Sequence, residues 1–294
     1  MQEKVRSGIV RFHNKYYKVL LLISLFLLAS SLIYIWVFYS KNNDIMYKDI
    51  SLTGGTSVTI YEEISLDDLR QALSNKLEDI SIREISDLIT QEQKAVILET
   101  KSSAEETKAV LESYLGYELT EENSSFEFTG SSLSESFYKQ LLIAIIIAFI
   151  FMSIVVFIIF RTFVPSFAVI ISAFADILMT LVVVDIFGIR MSTAGIVAFL
   201  MLIGYSVDTD ILLTTRVLKR KNDSLNQRIF GAFKTGITMA LTSLLAVGSA
   251  LMIVKSFSPI LTQIFSILII GLIFDIFNTW VTNVSIIKWY MEKK

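Results

Sequence analysis

Six separate runs in this 294-residue chain are long and apolar enough to cross a lipid bilayer, and one acidic block is inserted after the first. A span needs about 20 predominantly apolar residues, and the runs fall at 19–39, 138–160, 163–187, 191–217, 229–254 and 259–290. With 53% of its residues hydrophobic, the chain is too apolar for an ordinary soluble domain. The first run is full length and ends in aromatic residues, so it reads as an uncleaved anchor rather than a signal peptide. The absence of cysteine excludes disulfides and thiolate chemistry. The single histidine, His13, leaves no His-rich metal site and reads as a membrane-flanking residue. The expected architecture is an α-helical polytopic membrane protein. It has an N-terminal segment (1–18), one transmembrane helix (19–39), an external domain (40–137), five further helices (138–290) and a short C-terminus (291–294).

Charge segregates strongly. Residues 40–138 carry 20 Asp and Glu against 8 Lys and Arg, so this block is a separate water-exposed unit. Outside it, Lys4, Arg6, Arg11, Lys15 and Lys18 precede the first span, Arg161 follows the second, and the loop 216–228 is basic. Lys288, Lys293 and Lys294 close the chain. All of these fall on one side, against Arg190 and Lys255 in the short loops opposite. The positive-inside rule then puts both termini in the cytoplasm and residues 40–137 outside.

The external block reads as strand, helix, strands, helix, strand. "TSVTIYE" (56–62) alternates, "SLDDLRQALSNKL" (65–77) is a helix capped by Ser65, and "IREISDLI" (82–89) and "KAVILET" (94–100) are strands. "SAEETKAVLESYLG" (103–116) is a second capped helix ending at Gly116, and "SSFEFTG" (124–130) is the last strand. That order is the split βαβ pattern of a ferredoxin-like α+β domain. It holds no nucleophile–base pairing and no phosphate loop. Gly54 and Gly55 in "TGGT" are expected to make a tight turn into the first strand.

Four carboxylates lie well inside the later spans: Asp176, Asp208, Asp210 and Asp275. A charge near the bilayer centre costs at least about 2.5 kcal/mol, so these are functional-site candidates, with helix-to-helix hydrogen bonding as the alternative. Asp185 and Arg190 lie near a span end, where interfacial placement accounts for them. Asn278, Asn283, Thr238 and Thr242 are polar neighbours. Asp208 and Asp210 are about 200° apart on a helix, so only one can face the interior. Because Gly204 shares a face with Asp208, Asp208 is expected inside and Asp210 nearer the cytoplasmic end. Lys234, early in the fifth span, is either a mobile counter-charge or a snorkelling side chain. Ion coupling at Asp208, Asp210, Asp176 and Asp275 is the chemistry these positions suggest, and the site is expected in the third to sixth spans.

One span, a ferredoxin-like domain entered through "TGGT", then five spans with "LIGYSVDTDILLTTRVLKR" (202–220) in the fourth, resembles the SecF family. SecF is the smaller half of the SecDF protein-export accessory complex, within the RND superfamily. The resemblance implies a SecD-like partner, the Sec translocation channel, a translocating polypeptide and surrounding lipid as contacts. It implies no cofactor, metal, nucleic acid or enzymatic chemistry, and export assisted by the proton or sodium gradient. The family's glycine pair corresponds to Gly54 and Gly55, and its third-span acid to Asp176. Its fourth-span motif falls on Gly204, Tyr205, Ser206, Val207, Asp208 and Thr209, where Asp208 stands at the usual Asn and Thr209 at the usual Asp. The added acid at Asp210 is similar to archaeal members. Lys234 and Thr235 lie where an Arg is expected in the fifth span, and Ser51 stands where many members place Asp, with Asp49 nearby. Asp208 or Asp210 then takes the ion-carrying role, or coupling rests with the partner. The alternative reading is an RND-type exporter of small molecules or lipid.

Overall fold

The computed structural model describes residues 2–87, 89–90, 92–219 and 223–293, and the side chains from residue 15 onward. Lys4, Arg6, Arg11, His13, part of the 216–228 loop and Lys294 therefore lie outside the described side chains. Among the described residues, six helices are long and apolar enough to span a bilayer. They are α1 (Gln2–Asn42), then, after the inserted α+β domain, α5 (Ser131–Phe160), α6 (Phe163–Ile186), α7 (Thr193–Lys219), α8 (Leu225–Val254) and the sixth span. That last span is built from α9 (Pro259–Phe277), a π-helical segment (Asn278–Asn283) and α10 (Val284–Lys293).

Between α1 and α5 lie a short helix α2 (Ile50–Thr53), strands β1 (Gly55–Ile60), β2 (Ser81–Ser86), β3 (Gln93–Thr100) and β4 (Ser124–Thr129), and helices α3 (Leu66–Leu73) and α4 (Ala104–Leu115). The sheet order is β2-β3-β1-β4 with every neighbour antiparallel, which is the ferredoxin-like arrangement. Local sequence accounts for the helix ends. Ser65 accepts from the Asp68 amide, Ser103 accepts from the Glu106 amide, and Gly116 closes α4 at φ +80°. Val58, Ile60, Val96 and Leu98 from the sheet pack on Leu69, Leu73 and Leu111 of the helices. The second strand is shorter than its apolar pattern suggests. A register shift falls between Ile85 and Ser86, and the Asp87 carboxylate then caps a turn at Ile89 and Thr90.

The domain is tied closely to the membrane body. Gly54 and Gly55 adopt φ +81° and +147°, and a side chain on either would strike backbone, that of Ser131 for Gly54 and of Thr100 for Gly55. Met191, between α6 and α7, exchanges backbone bonds with Tyr47 (2.6 Å) and Asp49 (3.0 Å), and the Ser51 hydroxyl accepts from the Thr193 amide at 3.0 Å. Asp79 pairs with Arg190 at 2.6 Å, and the Ser86 amide donates to the Ser256 carbonyl at 2.7 Å. Within the body, α6 and α7 are the most buried spans, whereas α1, α5 and α8 are peripheral. Gly271 lets α9 seat against Leu202, and Gly236 lets α8 seat against Trp280.

Candidate intramembrane carboxylate site

Two polar stripes face each other in the centre of the body. On α6, Ser172, Asp176 and Thr180 recur every four residues, and all three are fully buried. On α7, Ser206, Asp210 and Thr214 do the same. The sixth span closes the site with Asp275 and with Asn278, Thr279, Thr282 and Asn283 from its π-helical segment, every one buried. A π turn widens the helix and is common at functional sites.

The hydrogen bonds form one connected array. Asp176 accepts from the Ser206 hydroxyl at 2.5 Å and from the Asn278 amide at 2.7 Å. One oxygen of Asp210 accepts from Asn283 at 2.7 Å, Thr279 at 2.8 Å and Ser172 at 3.4 Å. Its other oxygen, and the Asn283 side-chain oxygen, are buried with no partner among the described residues. Thr279 also lies 3.3 Å from Asp275. The array continues through Asn278 to Thr282 and on to Ser24 of α1, so the first span contributes as well.

No lysine, arginine or histidine is among these partners. Three buried carboxylates without a cation cannot all stay ionised in a low-dielectric interior. Thr279 makes the proton count explicit. Its single hydroxyl hydrogen can go to Asp210 or to Asp275, and bridging both requires a proton on one carboxyl. The arrangement sets a hydroxyl between two carboxyl groups, across α7 and the sixth span. No group of three or more side chains that could hold a metal ion occurs among the described residues.

The structure reverses the expected roles of the two fourth-span acids. Asp210 is fully buried, whereas Asp208 is exposed. Val207 packs with Val156 and Phe160 on one side, and Thr209 approaches Gly236 on the other, so Asp208 between them points outward. Gly204 and Tyr205 share that outer face, with nothing within 4 Å of a side chain added at Gly204. Ser206 of the fourth-span motif, expected to serve helix packing with Gly204 and Tyr205, joins α7 to α6 by donating to Asp176. Lys234 is exposed on α8 and forms no ion pair among the described residues, and Thr238 and Thr242 bond carbonyls of their own helix on an exposed face. Asp185, the second-last residue of α6, is buried at that span end, 3% exposed and accepting from the Tyr47 amide at 3.4 Å. Ser172, Thr279, Thr282 and Ser24 were not apparent beforehand. The i, i+4 recurrence of small hydroxyls around Asp176 and Asp210 was the available signal.

The comparisons with known proteins agree with this architecture. Residues 110–293 match the family model for the C-terminal part of the protein-export membrane protein SecD/SecF. The protein-export membrane protein SecF of Methanocaldococcus jannaschii is 40% identical over 253 residues, covering 84% of this chain and 88% of the relative. That of Haloquadratum walsbyi is 32% identical over 280 residues, covering 93% of this chain and 92% of the relative. Among solved structures, SecDF from Thermus thermophilus, described as a translocon-associated membrane protein, superposes with a TM-score of 0.72 at 17% identity. The match covers 94% of this chain but only 38% of that one, so the chain spans well under half of the SecDF polypeptide.

Proposed function

The chain belongs to the SecD/SecF family of protein-export membrane proteins, and from that premise we propose that it is the membrane-gradient-coupled subunit that pairs with a SecD-like partner beside the Sec channel. A multi-pass protein of this family serves protein translocation. The finer reading is that Asp176, Asp210 and Asp275 load and release protons, and that their protonation biases the packing of α6, α7 and the sixth span. The α6–α7 connection and the start of α7 reach the external domain through Met191, Arg190 and Thr193. Movement begun at the carboxylates is thereby delivered to the domain, which would contact the emerging polypeptide. The basic flanks of the spans favour cytoplasmic termini and an external acidic domain.

The observation that carries this reading is the cation-free carboxylate array bridged by Thr279. The proton is the ion this reading favours, since Thr279 bridges both carboxyls only when one of them holds a proton. Asp208 takes a different part. An exposed carboxylate beside Gly204 and Tyr205 in a membrane helix needs a covering partner, and we assign that face to the SecD-like subunit.

The test is export rate in cells depleted of the native protein, with the membrane gradient intact or collapsed and subunit levels measured. Asp210→Asn is expected to remove gradient-dependent stimulation while the complex still assembles. Asp208→Asn is expected to weaken recovery of the partner. Normal gradient-dependent export by the Asp210→Asn, Asp275→Asn double variant would overturn the assignment.

A further inference from the structure

A cleft of about 510 Å³ lies where the external domain meets the membrane body, on the same side as the α6–α7 and α8–α9 turns. Its walls are the outer strand β2, the α6–α7 loop and the start of α9. Three cations reach it, Arg83, Arg190 and Lys255, with one lining carboxylate, Glu84, and two more, Glu99 and Asp79, paired to the two arginines. Two of the cations are held from behind. Arg190 is clamped by Asp79 at 2.6 Å, and its own carbonyl accepts from Gln263 at 2.5 Å. Arg83 is paired with Glu99 through one terminal nitrogen, and its buried Nε has no partner among the described residues. A guanidinium carries five donors in a fixed fork, so each retains donors after this pairing. Lys255 is exposed and forms no ion pair among the described residues. Thr262 and Ser266 line the membrane side of the cleft from the first two turns of α9.

The lining also includes Ile189 and Pro259, and the surroundings are apolar. Ile186 and Phe187, which lead directly into the Gly188–Arg190 wall, are 62% and 69% exposed. Phe257 and Ile260, flanking the α9 wall, are 44% and 61% exposed. Fixed cationic donors beside uncovered hydrocarbon match an amphipathic anion, with a phosphate for the cleft and chains for the flanks. We propose that this cleft binds the phosphate headgroup of an anionic membrane lipid, seated between the external domain and the α8–α9 hairpin. The lipid would complete the contact made there by the Ser86–Ser256 backbone bond. The inference rests on the spans lying in a bilayer and not on the ion path, so it stands or falls separately from the proposed coupling.

Lys255 is the natural probe, since it is exposed and holds nothing else in place. The experiment uses the full-length protein purified in an uncharged detergent, titrated with dioleoyl phosphatidylglycerol or dioleoyl phosphatidylcholine and read by native mass spectrometry. Phosphatidylglycerol is expected to be retained preferentially. Lys255→Ala should weaken its binding by about fivefold, the effect of one surface cation, Lys255→Glu by more, and Lys255→Arg should restore it. Excess inorganic phosphate should compete poorly, because it lacks the chains. Unchanged phosphatidylglycerol binding by Lys255→Glu, or equal retention of the two lipids, would overturn the proposal. Complete displacement by inorganic phosphate would also overturn it, marking a simple anion site instead.

Discussion

Among the described residues, Asp210 gathers three donors on one oxygen and none on the other, while the side-chain amide oxygen of Asn283 also goes unpartnered. An amide at position 210 would supply hydrogens that a carboxylate lacks. Asp210→Asn is therefore expected to leave the thermal midpoint of the purified protein unchanged or raised, even as gradient coupling is lost. A large fall in the midpoint would mean that the acid serves the fold rather than the ion path. Asp49 provides a pH-dependent counterpart outside the membrane. Burial pushes its carboxyl up from 3.8 to about 6, the Ser51 hydrogen bonds oppose this, and Glu99 adds to it. The folded form thus holds the proton more tightly than the unfolded chain. Its stabilising effect is complete below pH 3.8 and declines as pH rises to about 6, with a slope of about 1.4 kcal/mol per pH unit. Hydrogen exchange of the α2 amides should accelerate over that window, and Asp49→Asn should flatten the response.

Helices in this molecule meet through small residues whose neighbours differ sharply. At Gly271 an added side chain would meet Leu202 at 2.5 Å, and at Gly236 it would meet Trp280 at 2.5 Å. Gly271→Val and Gly236→Val are expected to destabilise the isolated protein by about 1–3 kcal/mol through overpacking, measurable as a lowered thermal midpoint in detergent. Gly204→Val, with open space around it, should leave that midpoint alone and reduce recovery with the SecD-like partner. In the external domain, Ser103→Ala removes the cap on α4 and should cost about 1 kcal/mol, with the Glu106 amide losing its acceptor. The caps at Ser65 and Ser103 and the ending at Gly116 were legible because capping is a local signal. The π-helical segment was not, since i→i+5 bonding leaves no periodic mark in six residues.

On the scale of the whole molecule, the external domain is fastened to the body at a few points, and the protein has no native cysteine. Cysteines at positions 86 and 256 would span the Ser86–Ser256 contact. Oxidation should stop gradient-dependent export and reduction should restore it, if domain movement carries the coupling; undiminished export by the cross-linked protein would rule that movement out. The sequence alone determined the six spans, the acidic insertion and its ferredoxin-like order. Length, hydropathy, charge and capping are properties of consecutive residues, and a bilayer or a β-strand reads them directly. It also marked Asp176, Asp208, Asp210 and Asp275 as out of place. Only the tertiary structure decided which of them meet. Gly204 beside Asp208 looked like an inward packing face, yet the side chains of Val207 and Thr209 already occupy the neighbouring helices and turn Asp208 outward. Asp210 finds Thr279 and Asn283 across a sequence distance of about 70 residues, a pairing fixed by how three helices pack and invisible to any local pattern.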